Sequence, residues 1–361
     1  MADFDVVVVG GSVAGSVTAR ELGRRGLRVG LFEKDRFPRW KACGEILLPQ
    51  GVLALSEMGL EYTGPRIRGV RFVSPSGHSA EADFPFGHGL AVRRDRFDHF
   101  LFQAAAETPN VTVFEGTTWT SRKATGKWLV GADGLSSLFH QRDEFPSAPP
   151  ATKRVGISAH AEGLTADRDR VEILLQSGGE IVIAPSEGEE VTVSCLFREE
   201  SMPEGETAED RMMNFLLSQD ILKGRTHGLR LTTPALSVCP LGMKSGAMVC
   251  EGTLLVGDAA GAPDPITMEG LSLSIQSACV AAKAIANGIP EEYERERYRI
   301  AVGSEWFGRW ILRAARYPEV ADRVVQSLTK HPNLLRKLLE ISAGTKKEGD
   351  FSLLELAQLV V

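Results

Sequence analysis

The chain has 361 residues, 43% of them hydrophobic and 24% charged, enough to bury the cores of about two domains. A formal charge of -6 and a pI near 5.8, with no run of like charges, exclude a surface built to neutralise a nucleic-acid backbone. Cys43, Cys195, Cys239, Cys250 and Cys279 are scattered without a C-x-x-C pair or zinc spacing, which excludes a disulfide framework and predicts reduced thiols in a cytoplasm.

At the start, acidic Asp3 and Asp5 stand where a signal peptide needs bases, and Val6 to Val9 is too short an apolar run to be one. Asp5 to Gly10 instead reads as a strand buried on both faces of a parallel sheet. Gly10-Gly11-Ser12-Val13-Ala14-Gly15 follows, matching the dinucleotide fingerprint G-x-G-x-x-G at its first and last glycines with Ser12 in the middle place. The next helix carries Val13, Val17 and Leu22 on one side and stops at Arg24-Arg25-Gly26. A second strand, Leu27 to Phe32, delivers Glu33 and Lys34. In such a unit Gly10 permits the tight turn, Gly15 lets helix and strand approach, the helix N-terminus faces a pyrophosphate and Glu33 accepts from ribose hydroxyls. A parallel-sheet turn needing glycine only for packing is the plainer alternative.

Further along, Pro38 to Pro49 contains Lys41-Ala-Cys43-Gly44-Glu45, and Ala91-Val-Arg93-Arg94-Asp-Arg96 opens a helix in which Arg94 and Arg96 read as surface residues. Only about a dozen residues separate the strand at Val111 to Phe114 from that at Trp128 to Val130, room for one short hairpin at most. The latter strand leads into Gly131-Ala-Asp133-Gly134. Residues 151 to about 245 alternate in short apolar stretches broken by glycine and acidic turns, which predicts an antiparallel sheet, with a helix between Arg198 and Gly224 whose core stripe is Met212, Met213, Phe215 and Leu216. Leu254-Leu-Val-Gly257-Asp258-Ala-Ala-Gly261 is again a buried strand bringing one acid to a turn, followed by a loop through Pro265 and Met268 and a small-residue helix from Leu271 to Asn287. After Pro290 the tail is wholly helical, with Pro318 and Pro332 in first turns. Trp306, Trp310 and Tyr317 recur at nearly helical spacing among arginines, which suits either packing against the nucleotide-binding part or a lipid surface.

Together the fingerprint, G-A-D-G and G-D-A-A-G segments resemble the FAD-dependent family that unites aromatic-ring flavin monooxygenases with geranylgeranyl reductases. The resemblance implies an α/β fold: a Rossmann-like FAD-binding domain over residues 1–70, 92–150 and 246–290, a substrate domain of antiparallel sheet over 71–91 and 151–245, and a helical region over 291–361. It implies FAD contacts at Gly10, Gly11, Ser12, Ala14, Gly15, Glu33, Lys34, Arg93, Asp133, Gly257, Asp258, Pro265, Gly270 and Leu271. Asp133 could equally cap the helix that follows it. The K-x-C-G and G-E-x-L-x-P dialects of the family merge in residues 41–49, which makes Cys43 and Glu45 candidates near the reacting centre, or else a buried thiol and a helix-capping acid. With one nucleotide fingerprint, NAD(P)H is a transient donor. The substrate is then a small hydrophobic organic molecule, isoprenoid, lipid or aromatic, to be reduced at a double bond or hydroxylated. Halogenation fits less well, since the W-x-W-x-I-P motif is absent. Dispersed histidines predict no metal. Ser12 and Met268 stand where the family has glycine, and side chains there are expected to crowd the cofactor, which keeps open a catalytically impaired flavin-binding scaffold.

Overall fold

A computed structural model describes residues 2–148, 150 and 152–360. Its helices are α1 Val13–Arg24, α2 Pro49–Glu57, α3 Arg94–Ala106, α4 Ala208–Ser218, α5 Gly270–Asn287, α6 Glu291–Ala314, α7 Pro318–Lys330, α8 Pro332–Ser342 and α9 Leu353–Val360.

The β-branched run of the first strand makes it central. Val6, Val7, Val8 and Val9 are all buried, and Ala2–Val9 pairs in parallel with Val29–Phe32 on one side and Ala124–Gly131 on the other. Val111–Phe114 and Thr253–Leu255 extend this six-stranded sheet, again in parallel, while the short Val249–Cys250 edge is antiparallel. Three distant chain segments therefore share one sheet. Register brings their ends level: Val9 lies opposite Phe32 and Gly131, and Gly131 opposite Leu255. The residues just beyond these strands, at Gly10, Glu33, Ala132 and Val256, must then emerge along a single edge, where open α/β sheets bind their ligands.

The expected hairpin before Trp128 does not form. Ala124 to Gly126 pair with Ala2 to Phe4 and so lengthen the central strand, and residues 115–123 serve as a bare crossover. That crossover is held by the Thr117 N–H donating to the Glu33 carbonyl at 2.7 Å and by Trp119 stacking on Phe139.

A second sheet of eight strands lies over the first. Arg154–Glu162, Val191–Arg198, Gly179–Pro185 and Arg170–Gln176 are successive antiparallel neighbours, and Gly69–Val73 joins Arg170–Gln176 in parallel. Period-two alternation splits its faces. Val155, Ile157, Ala159, Val193, Cys195 and Phe197 pack with Met212, Phe215 and Leu216 of α4, whereas Met213 stays at the margin of that core. The opposite face carries Arg154, Gly156, Ser158 and His160, beside Thr192, Ser194 and Leu196.

The tail is helical as expected, with Pro318 and Pro332 in the first turns of α7 and α8. The aromatic stripe of α6 is core: Trp306 packs on Phe351, and Phe307 and Ile311 join a cluster with Phe72, Val171 and Ile173 of the second sheet as well as Leu48 and Ile266. Helix α6 packs on α5 and the turn at Pro265–Thr267 of the nucleotide-binding part, as expected, and also on α8 and the second sheet, while Trp306 and Trp310 are half-buried and Tyr317 stays 54% exposed. Among the described residues no helix is long and apolar enough to cross a membrane.

Candidate functional site

A cavity of about 710 Å³ opens at the common strand edge and is roofed by the second sheet. Its size falls within that of small-molecule sites.

The glycine turn is shaped by steric necessity. Gly10 has φ +105, and a Cβ on it would lie 2.3 Å from the Ala132 carbonyl oxygen; one on Gly15 would lie 1.8 Å from the Gly10 oxygen. Gly257 likewise lets α1 approach, since its Cβ would meet that of Ala14 at 2.7 Å. Gly11, Gly15 and Gly257 therefore build the wall from behind, whereas Gly10, Ser12 and Ala14 line the cavity. No acidic residue sits in the first turn of α1 and no side chain caps it, so its first N–H groups stay free for an anion. Glu33 is fixed by the Gly11 N–H at 2.8 Å and the Asp35 N–H at 2.9 Å, and lines the cavity beside Lys34.

Ser12 does not crowd this edge as expected. Its hydroxyl turns to α3, donating to Asp98 at 2.7 Å and accepting from Arg94 at 3.0 Å. Arg94 in turn pairs with Asp98 at 2.7 Å and is 8% exposed, so it is a wall residue and not the surface residue its sequence context suggests. Arg93 lies outside the cavity lining: its guanidinium bonds Glu190 at 2.6 Å and stacks over Trp40. Helix α3 begins between the two, and this single step separates their directions. Burial works against the Arg94 charge, but Asp98 more than restores it and holds the guanidinium protonated. Lys41 projects into the same space, open to cavity solvent yet walled by protein. Burial, then repulsion from Arg94 and Arg39, pushes its pKa down. Arg39 and Arg94 are already paired with Asp98, so Lys41, which has no ion-pair partner among the described residues, and the free helix amides are the donors a diphosphate would meet, and this donor set fits FAD.

At the far side Asp258, Pro265, Met268, Gly270 and Leu271 line the cavity. A Cβ on Gly270 would meet nothing within 4 Å, so the fold leaves that space to a ligand. Met268 adopts φ +60, a left-handed backbone, and its residue packs into the cluster of Ile46, Leu48 and Ile266; the loop accommodates it without glycine. Asp133 takes the capping role: Oδ2 accepts from the Leu138 N–H at 2.8 Å, while Oδ1 is buried at the cavity wall without a partner among the described residues.

Cys43 and Glu45 both line the cavity but differ in freedom. The Cys43 Sγ accepts from the Glu45 N–H at 3.3 Å and lies beside the Arg94 guanidinium, and burial pushes its pKa up, which keeps it a thiol. Glu45 is engaged three times, by the Arg94 N–H at the start of α3 at 2.8 Å, by Thr192 Oγ1 at 3.1 Å and by His160 Nε2 at 2.5 Å. It caps α3 and also ties the second sheet to residues 41–47. A matching tie stands at the other end of the Arg154–Glu162 strand, where Arg154 bonds Asp264 at 2.8 Å and Glu180 at 2.7 Å. Arg154, His160 and Lys41 were not legible as site residues. The signal was there for the first two, with Arg154, Ser158 and His160 on one alternating face interrupted only by Gly156, but nothing in the sequence said which face of the strand meets the cavity.

No family model matches the chain. It is similar to digeranylgeranylglycerophospholipid reductase 2 of Methanothermobacter thermautotrophicus, 24% identical over 88% of each chain, and to squalene epoxidase erg1 of Schizosaccharomyces pombe, 22% identical over 82% of this chain and 72% of that one. Some curated relatives are considerably longer, and the chain spans 64% of one and 56% of another. Among solved structures, the geranylgeranyl bacteriochlorophyll reductase-like protein of Thermoplasma acidophilum superposes with TM-score 0.77 over the full length of both chains at 20% identity. The flavin-dependent brominase Bmp2 does so with TM-score 0.79 over 95% of this chain and 94% of that one, at 20% identity. At such identity these two speak for the fold. Taken with the strand-edge geometry, the similarity to these curated relatives indicates an FAD-dependent oxidoreductase.

Proposed function

We propose that this protein binds FAD along the strand edge, accepts electrons from NAD(P)H and saturates a carbon–carbon double bond in a hydrophobic organic substrate held beneath the second sheet. The observation that carries the proposal is one continuous cavity reaching from Gly10, Glu33 and Asp258 to the underside of that sheet at Ser158 and Leu196. In this reading residues 1–70, 92–150 and 246–290 form the cofactor domain, and residues 71–91 with 151–245 the substrate domain. Reduced FAD would supply the hydride for one carbon; the other carbon needs a proton. Glu45 is saturated by donors and acts as a tie, and of the two protic side chains left on this wall, Lys41 and Cys43, the neutral Cys43 thiol is assigned the proton. Five free thiols suit a reducing cytoplasm.

Hydroxylation is the second reading, supported by the similarity to squalene epoxidases. The two separate cleanly: substrate consumption with NADPH that persists without oxygen supports reduction, and consumption that requires oxygen overturns it in favour of hydroxylation. Asp258→Ala is expected to lower the flavin content of the purified protein at least about tenfold, since a direct charged contact contributes roughly 1.5–3 kcal/mol. Cys43→Ala should keep its flavin and its reduction by NADPH while product formation slows by about 10² or more, within the range of lost acid catalysis. Equal flavin content in wild type and Asp258→Ala would refute the role given to that acid.

A further inference from the structure

Across the middle of the roof, Ser158 and Ser194 are directly opposed on neighbouring antiparallel strands, and their hydroxyl oxygens are 2.8 Å apart. Each hydroxyl carries one hydrogen. One of the two is consumed in the bond between them. The other has no acceptor among the described residues, and both serines line the cavity. Ser194 is 4% exposed, so what solvent it meets is confined to that cavity.

The surroundings sharpen the point. Val182, Leu196, Val238 and Leu241 surround the pair in the roof, with Ser237 at its edge, so the serine pair is a polar spot in a mainly apolar ceiling. A buried hydroxyl donor without an acceptor is costly, whereas alanine or valine would suit an apolar ceiling without that cost. Gly156 on the same strand lacks a side chain without being forced to: a Cβ there would make ordinary contacts at 3.4 Å to Val238 and 3.5 Å to Leu196 and Leu241. The small residue leaves depth beside the hydroxyls.

We propose that the Ser158–Ser194 pair is a specificity element that receives a hydrogen-bond-accepting oxygen, of an ether, ester or carbonyl, on an otherwise hydrocarbon substrate. The inference rests on the reading of this cavity as the substrate compartment of a flavin enzyme and narrows it, since a wholly oxygen-free hydrocarbon would leave the spare donor unsatisfied. A purely structural cross-strand hydroxyl pair would make no such distinction between ligands.

The test compares two probes, geranyl acetate and an isosteric hydrocarbon in which a branched alkyl group replaces the ester. Binding is read from tryptophan fluorescence, because Trp119 lines the cavity, and this works with or without flavin. Wild-type protein is expected to bind the ester about threefold to tenfold more tightly than the hydrocarbon, the equivalent of one net hydrogen bond. The double variant Ser158→Ala/Ser194→Ala should abolish that preference while leaving hydrocarbon affinity within about twofold, whereas each single variant keeps one hydroxyl hydrogen facing the cavity and should retain part of it. Equal affinity for the two probes in the wild type overturns the proposal, as does an equal loss for both probes in the variants. The wild-type comparison decides the matter even if the double variant does not fold. Flavin content, measured on the same samples, tests the underlying reading separately.

Discussion

Gly15→Ala is expected to yield a protein that retains no flavin and is destabilised by more than about 3 kcal/mol, beyond the usual range for an overpacked site. The reason is geometric: the added methyl would sit 1.8 Å from the Gly10 carbonyl oxygen, and that oxygen belongs to backbone that cannot rotate away. Either α1 lifts from the central strand or the turn opens, and both displace the free amides of the first helical turn. Gly270→Ala is the informative comparison. Its methyl would meet no protein atom within 4 Å, so folding should be unchanged while flavin affinity falls, because the methyl enters the ligand's space. Denaturant midpoints and the ratio of visible to ultraviolet absorbance read out both effects. A yellow, stable Gly15→Ala protein would contradict the packing described for the turn.

Glu269→Gln should make the protein more stable, and only above acidic pH. Glu269 precedes α5 and is 1% exposed; Oε1 accepts from Gln50 at 2.7 Å and Oε2 has no partner among the described residues. Burial pushes its pKa up to about 7, with the Gln50 bond the one opposing influence. Below the ordinary carboxyl value of 4.5 the folded and unfolded forms both hold the proton, and folding carries no penalty. As pH rises from there to about 7 the unfolded chain releases the proton and the folded one does not, which costs about 3 kcal/mol in all and levels off beyond. Glutamine keeps the shape and an acceptor for Gln50 but has nothing to ionise. Urea unfolding at pH 8 should therefore favour the variant by about 2–3 kcal/mol, with little difference at pH 4.5. A variant effect that is the same at both pH values would show that Glu269 is ionised in the folded protein. Below about pH 7 the neutral carboxyl also leaves the N-terminus of α5 free of a competing negative charge.

How far the sequence reveals this molecule depends on the kind of signal. Continuous β-branched runs, glycine turns and capped helices are local, and they locate the strand edge because parallel register then aligns Gly10, Glu33 and Asp258 without further information. Direction at a helix start is not local. Arg93 and Arg94 differ by one position, and which one faces the cavity depends on where α3 begins and on Glu45 capping it from 49 residues away. The hairpin expectation failed for a related reason: residues 124–126 have no preference of their own that outweighs continuing a pairing already made with Val6 to Val9 of the first strand. At Ser12 and Met268, where the family has glycine, the backbone is accommodated by a hydroxyl bonded to Asp98 and by a left-handed methionine, and both residues still line the cavity.

The Arg154–Glu162 strand is anchored at Arg154 to the loop of Asp264 and at His160 to Glu45, with Gly156 and Ser158 suspended between these supports. It behaves as a lintel, not as a hinged cover. Lifting it would drag both flanking loops, so the roof and the two segments that border the cavity, at Glu45 and at Asp264, are framed as one unit.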